Sequence, residues 1–401
     1  MATYLAPGVY VEEVPSAVKP IAGVGTSTAG FVGVVANSVK MPLRPGAPDK
    51  PKAADYYTVA AALAPQPVNS WGEFEQKFGE IQDANQYLAQ AVYGFYNNGG
   101  GRCWVTRVAA ATKADDVAKA IDTFEAIDEI GIVAAPLPPT TAQADLNAIQ
   151  NKLLTHCQLM QDRVAILDSA RDIATDNLVI TTDDKGIWAP GDSGNKGYGA
   201  FYFPWIEVSN PAGGRIVVPP SGHLAGIYAR SDAQRGVHKA PANEGVMGAL
   251  GVKYRVSKIL QGSLNPSGVN VIRPFGSTIK VWGARTMATD PEWTYVSTRR
   301  LFNFLRESID EGTQWVVFEP NTPDLWAKIR RNITAFLTTT WESGALFGNT
   351  AAEAFFVRCD ASTNPPAVRD LGQVVTEIGV SVIKPAEFVV FRLSQWAGPG
   401  E

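Results

Sequence analysis

Short runs of β-branched and aromatic residues alternate with longer segments of helical periodicity along most of the chain. The runs that predict buried strands lie at 29–35, 103–108, 130–135, 163–168, 201–208 and 216–218. The segments that predict helices lie at 71–78, 86–96, 115–126 and about 141–160. Strands that alternate with helices of this length are typical of βαβ units, so the pattern predicts a mixed α/β (α+β) fold.

The pattern changes after about residue 277. Apolar residues at Leu301, Phe304, Leu305 and Ile309 have the spacing of an amphipathic helix over 297–310. A second helix is predicted to begin at Pro323 after a Thr cap and to bury one face as far as Trp341. Further strands are predicted at 315–318, at 355–360 and in two runs that end at residue 393.

Both ends of the chain are extended in character and lack a local hairpin partner. Pro7, Pro15 and Pro20 exclude a helix near the start. A terminal strand is an exposed edge unless another sheet takes it up, so strand addition between subunits is its natural use. The residues predicted to form linking strands are Val9, Tyr10, Val11 and Val14 at the start and Phe388, Val389, Val390, Phe391 and Leu393 at the end.

Composition excludes several classes of function. The chain has 401 residues, is 45% hydrophobic and 18% charged, and carries a net charge of −4, so it has no basic surplus for nucleic-acid binding. Its three cysteines are far apart, which is typical of a reducing cytosol. We expect neither a secretory signal nor a membrane-spanning segment, because no long apolar run is present.

The glycine-rich segment 23–30 invites comparison with a phosphate-binding loop. It lacks the Gly-Lys-Ser/Thr ending of such loops and precedes a strand instead of a helix. A flexible joint between the arm and the core is the better interpretation, with Gly23, Gly25 and Gly30 as hinge residues. We therefore expect no nucleotide cofactor.

One alternative is a cytosolic α/β hydrolase that uses Ser193, since Gly191-Asp-Ser-Gly194 copies part of a serine-protease signature. Such an enzyme would need His156, His223 or His238 as a base. The surrounding residues are turn formers, and the histidine and cysteine spacings do not match a zinc site. We expect no catalytic, cofactor or metal site, and we expect His223 at the start of a helix.

Several segments, in order, resemble contractile tail sheath proteins. That family includes the sheaths of contractile phages, R-type pyocins and extracellular contractile injection systems. The opening Pro7-Gly-Val-Tyr-Val-Glu-Glu-Val-Pro-Ser16 is similar to the start of these proteins. The other segments that carry the resemblance are 21–33, 70–79, 93–107, 219–230, 264–276, 297–302 and 312–321.

The resemblance implies a compact sheath subunit in three parts: a linking arm over 1–22, an outer α/β domain over 23–276 and an inner domain over 277–401. It implies hexameric rings, stacked helically around an inner tube and joined by exchanged terminal strands. Contraction from a metastable extended state would drive the tube through a target envelope. The candidates to face the tube or a neighbouring subunit are Arg299, Arg300, Lys328, Arg330 and Arg331.

The expected partners are the chain itself, an inner tube protein, baseplate and cap or terminator proteins, and sheath paralogues. Neither nucleic acid nor membrane insertion is expected. Assembly would take place in the bacterial cytoplasm, with release by lysis as part of a phage tail or tail-like particle. A non-contracting baseplate or terminator component remains a second alternative, and it predicts closed rings without long tubes.

Overall fold

The structure, a computed structural model, describes residues 20–109, 113–173 and 196–392. The predicted linking residues Val9 to Val14, Leu393 and the proposed nucleophile Ser193 lie outside the described residues. The chain divides into two compact units. The sheet unit comprises Val24–Arg306 and the residues from Ile383 onward, and the helical unit comprises Glu307–Val382 with the described residues up to Gly23.

A mixed sheet forms the centre of the sheet unit. Its strands are β1 (Ala29–Val34), β2 (Gln66–Val68), β3 (Cys103–Val108), β4 (Ile132–Ala134), β5 (Val164–Asp168), β6 (Gly199–Phe203), β9 (Glu244–Gly245), β11 (Val269–Phe275) and β12 (Thr278–Val281). They are ordered β2-β3-β1-β4-β5-β6-β11-β12-β9, and the six strands from β3 to β11 are parallel. A smaller antiparallel sheet contains β7 (Ile206–Ser209), β8 (Arg215–Val218) and β10 (Ala249–Val252).

Helices cover both faces of the large sheet. They are α1 (Trp71–Phe78), α2 (Gln86–Asn97), α3 (Ala114–Asp122), α4 (Gln143–Met160), α5 (Ser221–Arg235) and α6 (Lys258–Leu264). A further helix, α7 (Val296–Thr313), begins in the sheet unit and ends in the helical unit. In β1, Phe31 faces the apolar layer with α1, α2 and α5, while Val32 faces the layer with α3, α4 and α6. Burial on both faces explains why these strands are continuous apolar runs in the sequence.

Helices α2 and α5 approach each other closely because glycines line their contact. A Cβ added at Gly222 would collide with the backbone of Ala91, and one added at Gly226 would collide with the carbonyl oxygen of Phe95. The ring of His223 lies against Gly94 in the same way. α5 begins at Ser221, which confirms the prediction that His223 lies at the start of a helix.

A buried carboxylate holds the start of α5. Ser221 donates its backbone N–H to Oδ1 of Asp168 over 2.9 Å, and its hydroxyl lies 2.5 Å from Oδ2. Burial raises the pKa of Asp168 to about 7, although the hydrogen bonds from Ser221 act in the opposite direction. The folded chain therefore binds a proton here at a pH where the unfolded chain, with its ordinary carboxyl group, has released it.

This difference predicts a measurable pH dependence of stability. The contribution of Asp168 is fully present below the unfolded pKa of about 4 and is lost as the pH rises through about 7. We expect Asp168→Asn to remove on the order of 2 kcal/mol of the change in unfolding free energy between about pH 5 and pH 7.5. Urea titrations of both proteins at each pH would measure it, and identical pH dependence would contradict the assignment.

The helical unit contains the end of α7, followed by α8 (Pro323–Glu342), α9 (Ala351–Ala354), β13 (Phe355–Arg358), α10 (Pro366–Arg369) and β14 (Glu377–Val380). Thr322 accepts a hydrogen bond from the backbone N–H of Leu325, so the predicted cap of α8 is confirmed. The strand predicted at 315–318 is wrong, since Gln314–Val316 forms a 3-10 turn at the end of α7. Apolar content alone did not distinguish a strand from this turn.

The expected domain boundary at 276/277 stays a prediction. It falls between β11 and β12, which pair directly with Phe275 opposite Thr278. The two compact units instead divide at Arg306 and Glu307, inside α7.

Candidate subunit-linking surface

The helical unit contains a small sheet of only two strands among the described residues. Strands β13 and β14 pair antiparallel, from Phe355 opposite Val380 to Arg358 opposite Glu377. Among the described residues, no third strand joins this sheet. A two-stranded sheet is marginally stable in water and gains stability from further strands. Its outer edges therefore offer backbone donors and acceptors to an added strand.

An exposed aromatic residue in this small sheet favours the addition of a further strand. Phe356 is 52% exposed, and its ring lies over Gly379 on the opposite strand. An aromatic ring over a cross-strand glycine covers backbone that would otherwise face water. The exposed ring also extends the apolar surface available to an incoming strand.

The C-terminal segment supplies a matching feature. Phe388, Val389, Val390 and Phe391 are each between 68% and 84% exposed. They are assigned to no helix or strand. Four consecutive exposed apolar residues are unusual on a soluble surface and indicate an interaction site. The structure therefore presents these four predicted linking residues in an accessible form.

Glu387 fixes the base of this segment. Its Oε1 accepts from Nδ2 of Asn265 over 2.7 Å and from Nε of Arg285 over 2.9 Å, and its Oε2 accepts from Nη2 of Arg285 over 2.7 Å and from the Tyr295 hydroxyl over 3.0 Å. Partial burial would raise the pKa of Glu387, but the hydrogen bonds from these donors outweigh it and hold that pKa below its usual value. The carboxylate is therefore charged and tightly held near neutral pH.

The predicted hinge glycines occupy two different environments. Ile21 is 8% exposed and packs against Gly312 in the helical unit, whereas Thr26 donates its hydroxyl to Asp232 over 2.6 Å in the sheet unit. Gly23 and Gly25 lie between these two held residues. Gly30 is inside β1, paired with Trp104 and Val133 on both sides. Movement about Gly30 would break the central sheet, so its position does not suit the predicted hinge role.

Two of the predicted interface arginines are buried inside the chain, which corrects their expected placement on a solvated face. Arg300 is 3% exposed and makes a bidentate ion pair with Asp232, with nitrogen–oxygen distances of 2.8 and 2.6 Å. Arg299 is 6% exposed, and its guanidinium lies 4.1 Å from the ring centroid of Trp293 and 4.6 Å from that of Tyr198. Charge spacing in the sequence did not reveal these partners, of which Asp232 and Tyr198 come from distant segments.

The other three predicted contact residues, Lys328, Arg330 and Arg331, are exposed on α8. Arg330 donates a hydrogen bond to the carbonyl oxygen of Cys359 over 3.1 Å. All three cations are thus accessible on α8.

The described residues give little support to a hydrolase or to a metal site. Burial lowers the pKa of His156 and of His223 to about 4, so both imidazoles are neutral near pH 7. Asp122, Glu125 and His156 lie close enough together to hold a cation. However, the Lys152 ammonium already lies 2.5 Å from Asp122, and the Arg163 guanidinium approaches His156. Lys152 therefore already compensates the charge of Asp122.

Two residues of this surface escaped the sequence analysis. Glu387 was included only in an apolar run, because its partners lie about 100 residues away in sequence. Phe318 is fully exposed and adopts a φ of 68°. Bulky side chains rarely adopt this left-handed conformation, and an exposed aromatic residue held there is a further candidate for contact with a partner. No sequence signal distinguished it from the apolar residues before it.

The described residues thus contain a two-stranded sheet in the helical unit and an exposed apolar segment in the sheet unit. Among family models, residues 110–287 match the central domain of phage tail sheath proteins, and residues 288–395 match the phage tail sheath C-terminal domain. Together these matches cover more than half of the chain. The chain belongs to the phage tail sheath protein family.

Individual relatives support this assignment. The chain is 33% identical over 117 residues to the tail sheath protein of Escherichia phage P2, which covers 27% of this chain and 29% of that protein. It spans half the length, or less, of the curated relatives that it matches.

Solved structures match over nearly the whole chain. The contracted helical sheath of the anti-feeding prophage is 29% identical, with a TM-score of 0.74 and coverage of 98% of this chain and 100% of that one. The contracted sheath complex of an extracellular contractile injection system, PVC, is 27% identical, with a TM-score of 0.72 and coverage of 99% of both chains. No helix of the described residues is both long and apolar enough to cross a membrane.

Proposed function

We propose that this chain polymerises helically around an inner tube and contracts from a metastable extended state, which drives the tube through a target envelope. The observation that carries the proposal is the unfilled sheet β13–β14 on the same chain as the exposed segment 388–391. The two contracted sheaths that match almost the whole chain support it.

The links between subunits would be backbone hydrogen bonds. The C-terminal strand of one subunit, and the N-terminal strand around Val9, Tyr10 and Val11 of another, would add to the β13–β14 sheet of a neighbour. Each backbone hydrogen bond contributes about 1 kcal/mol net. Backbone pairing depends little on side chains, so it persists while subunits rotate.

Contraction would be a rigid-body movement with flexible connections. Gly23 and Gly25, between the held residues Ile21 and Thr26, would let the arm keep its pairing while the sheet unit turns. Contraction would release energy stored during assembly and would need no nucleotide. The exposed cations Lys328, Arg330 and Arg331 are proposed to face the inner tube or an adjacent subunit.

Negative-stain electron microscopy of the purified full-length chain tests this function. We expect long, hollow, helically striated tubes, either from the chain alone or on addition of its inner tube protein. Monodisperse particles under both conditions would contradict the proposal. A hydrolase assay of Ser193→Ala against the unchanged chain would then test the enzymatic alternative.

A second candidate is a sheath paralogue placed at the baseplate. A chain of the anti-feeding prophage baseplate, solved with 6-fold symmetry, is also 29% identical, with a TM-score of 0.73 and coverage of 98% of this chain. This position predicts single closed rings on baseplates instead of long tubes. The main proposal also includes cap or terminator proteins as partners, assembly in the bacterial cytoplasm and release by lysis.

A further inference from the structure

We propose that Glu387 is the anchor of the C-terminal linking strand: it fixes the strand's base to the sheet unit, so that residues 388–391 reach a neighbouring subunit from a defined point. This inference rests on the proposed sheath function. It concerns a positioning residue, because Glu387 acts through the strand that follows it.

The anchor is built from three separate elements. Asn265 follows α6, Arg285 follows β12, and Tyr295 immediately precedes α7. All three side chains converge on the same carboxylate. The pair between Arg285 and Glu387 is 19% exposed on each side chain, so it is better shielded from water than an ordinary surface ion pair. Bidentate pairing of arginine with a carboxylate also fixes its direction.

The central sheet holds the anchor in place. Arg285 donates its backbone N–H to Oδ1 of Asn270 over 2.7 Å, and Nδ2 of Asn270 donates to the carbonyl oxygen of Arg285 over 2.7 Å. Asn270 is fully buried in β11. A force on Glu387 would therefore be transmitted through Arg285 to the central sheet.

Glu387 and the residues that follow it lie in opposite environments. Glu387 accepts five hydrogen bonds, yet the next four residues are apolar and at least 68% exposed. A strand with a fixed base searches a smaller volume than a free tail, so less entropy is lost when it pairs. The anchor would therefore lower the concentration needed for assembly and would carry load when the sheath contracts.

Glu387→Gln in the full-length chain tests the anchor. The amide keeps the shape of the side chain but removes the charge and one acceptor from Arg285. We expect a small fall in melting temperature, because the charged pair with Arg285 is lost, and we expect the concentration for half-maximal tube assembly to rise roughly tenfold. Arg285→Lys, which loses the bidentate geometry but keeps the charge, should give a smaller rise. Glu129→Gln is the matched control, since Glu129 forms an exposed pair with Arg102 elsewhere.

A second readout separates anchoring from general stability. The native cysteines Cys103, Cys157 and Cys359 are buried, so a spin label on Val390→Cys reports on the strand alone. In unassembled subunits, the label should become more mobile with Glu387→Gln and stay unchanged with Glu129→Gln.

Deletion of residues 388–401 distinguishes failure of the anchor proposal from failure of the linking-strand proposal. If the deletion abolishes tubes while Glu387→Gln changes neither assembly nor label mobility, the anchor is wrong and the linking strand stands. If the deletion leaves normal tubes, the linking role of the C-terminal segment fails, and the anchor fails with it.

Discussion

Deletion of residues 1–20 is expected to leave a folded subunit that no longer forms tubes. The arm would supply one of the strands that a neighbour's β13–β14 sheet lacks, through Val9, Tyr10, Val11 and Val14. A lost strand removes several backbone hydrogen bonds per link, each of about 1 kcal/mol, and every link along the polymer loses them. We expect assembly to fall by at least about a hundredfold.

The measurement compares tube length and number by electron microscopy with the melting temperature of the unassembled subunit. Deletion of residues 1–6 is the matched control, since it keeps the predicted strand and should assemble normally. Normal tubes from the longer deletion would rule out exchange of the N-terminal strand. Loss of the thermal transition would show that the arm is needed for folding instead, because Ile21, which packs on Gly312, begins immediately after the deletion.

Gly226→Ala is expected to destabilise the sheet unit by about 3 kcal/mol. Alanine favours a helix over glycine by about 1 kcal/mol, so propensity alone predicts a gain in stability. At Gly226 the added methyl group would collide with the carbonyl oxygen of Phe95 on α2 and lie 2.7 Å from Cβ of Asn98. Both helices lie in a packed core, so the collision requires the backbone to move.

Gly262→Ala is the matched control. Gly262 lies inside α6, and an added Cβ would meet nothing within 4 Å. This variant should gain up to about 1 kcal/mol of unfolding free energy. Urea denaturation of both variants gives the comparison, and a Gly226→Ala protein as stable as Gly262→Ala would show that the close approach of α2 and α5 is not required.

The periodicity of the sequence was sufficient to predict most elements of the sheet unit. Strands such as β1 and β5 are continuous apolar runs because both faces of a parallel sheet are buried, and such runs are recognisable without a structure. The run at 201–208 was predicted as one strand, but the structure divides it into β6 and β7, which belong to different sheets. Pro204 lies between the two strands and was the signal in the sequence that one continuous strand was not expected there.

The predicted interface residues show which features the sequence could predict and which it could not. The exposed linking residues Phe388 to Phe391 stood out because apolar residues near the end of a chain lack a local partner. Arg299 and Arg300, in contrast, were predicted on the surface. Their partners, Trp293, Tyr198 and Asp232, include residues from distant segments that only folding brings close.

The sequence alone determined that this chain is an α/β protein with the motifs of a tail sheath, because local periodicity and ordered motifs require no knowledge of distant contacts. The tertiary structure decided which charges are buried, where the two units divide, and that Glu387 is hydrogen-bonded to Asn265, Arg285 and Tyr295. These features depend on residues about 70 to 100 positions apart, such as Asp232 with Arg300 and Arg285 with Glu387. Charge and spacing along a chain carry no information about which distant groups will meet, so this part required the fold.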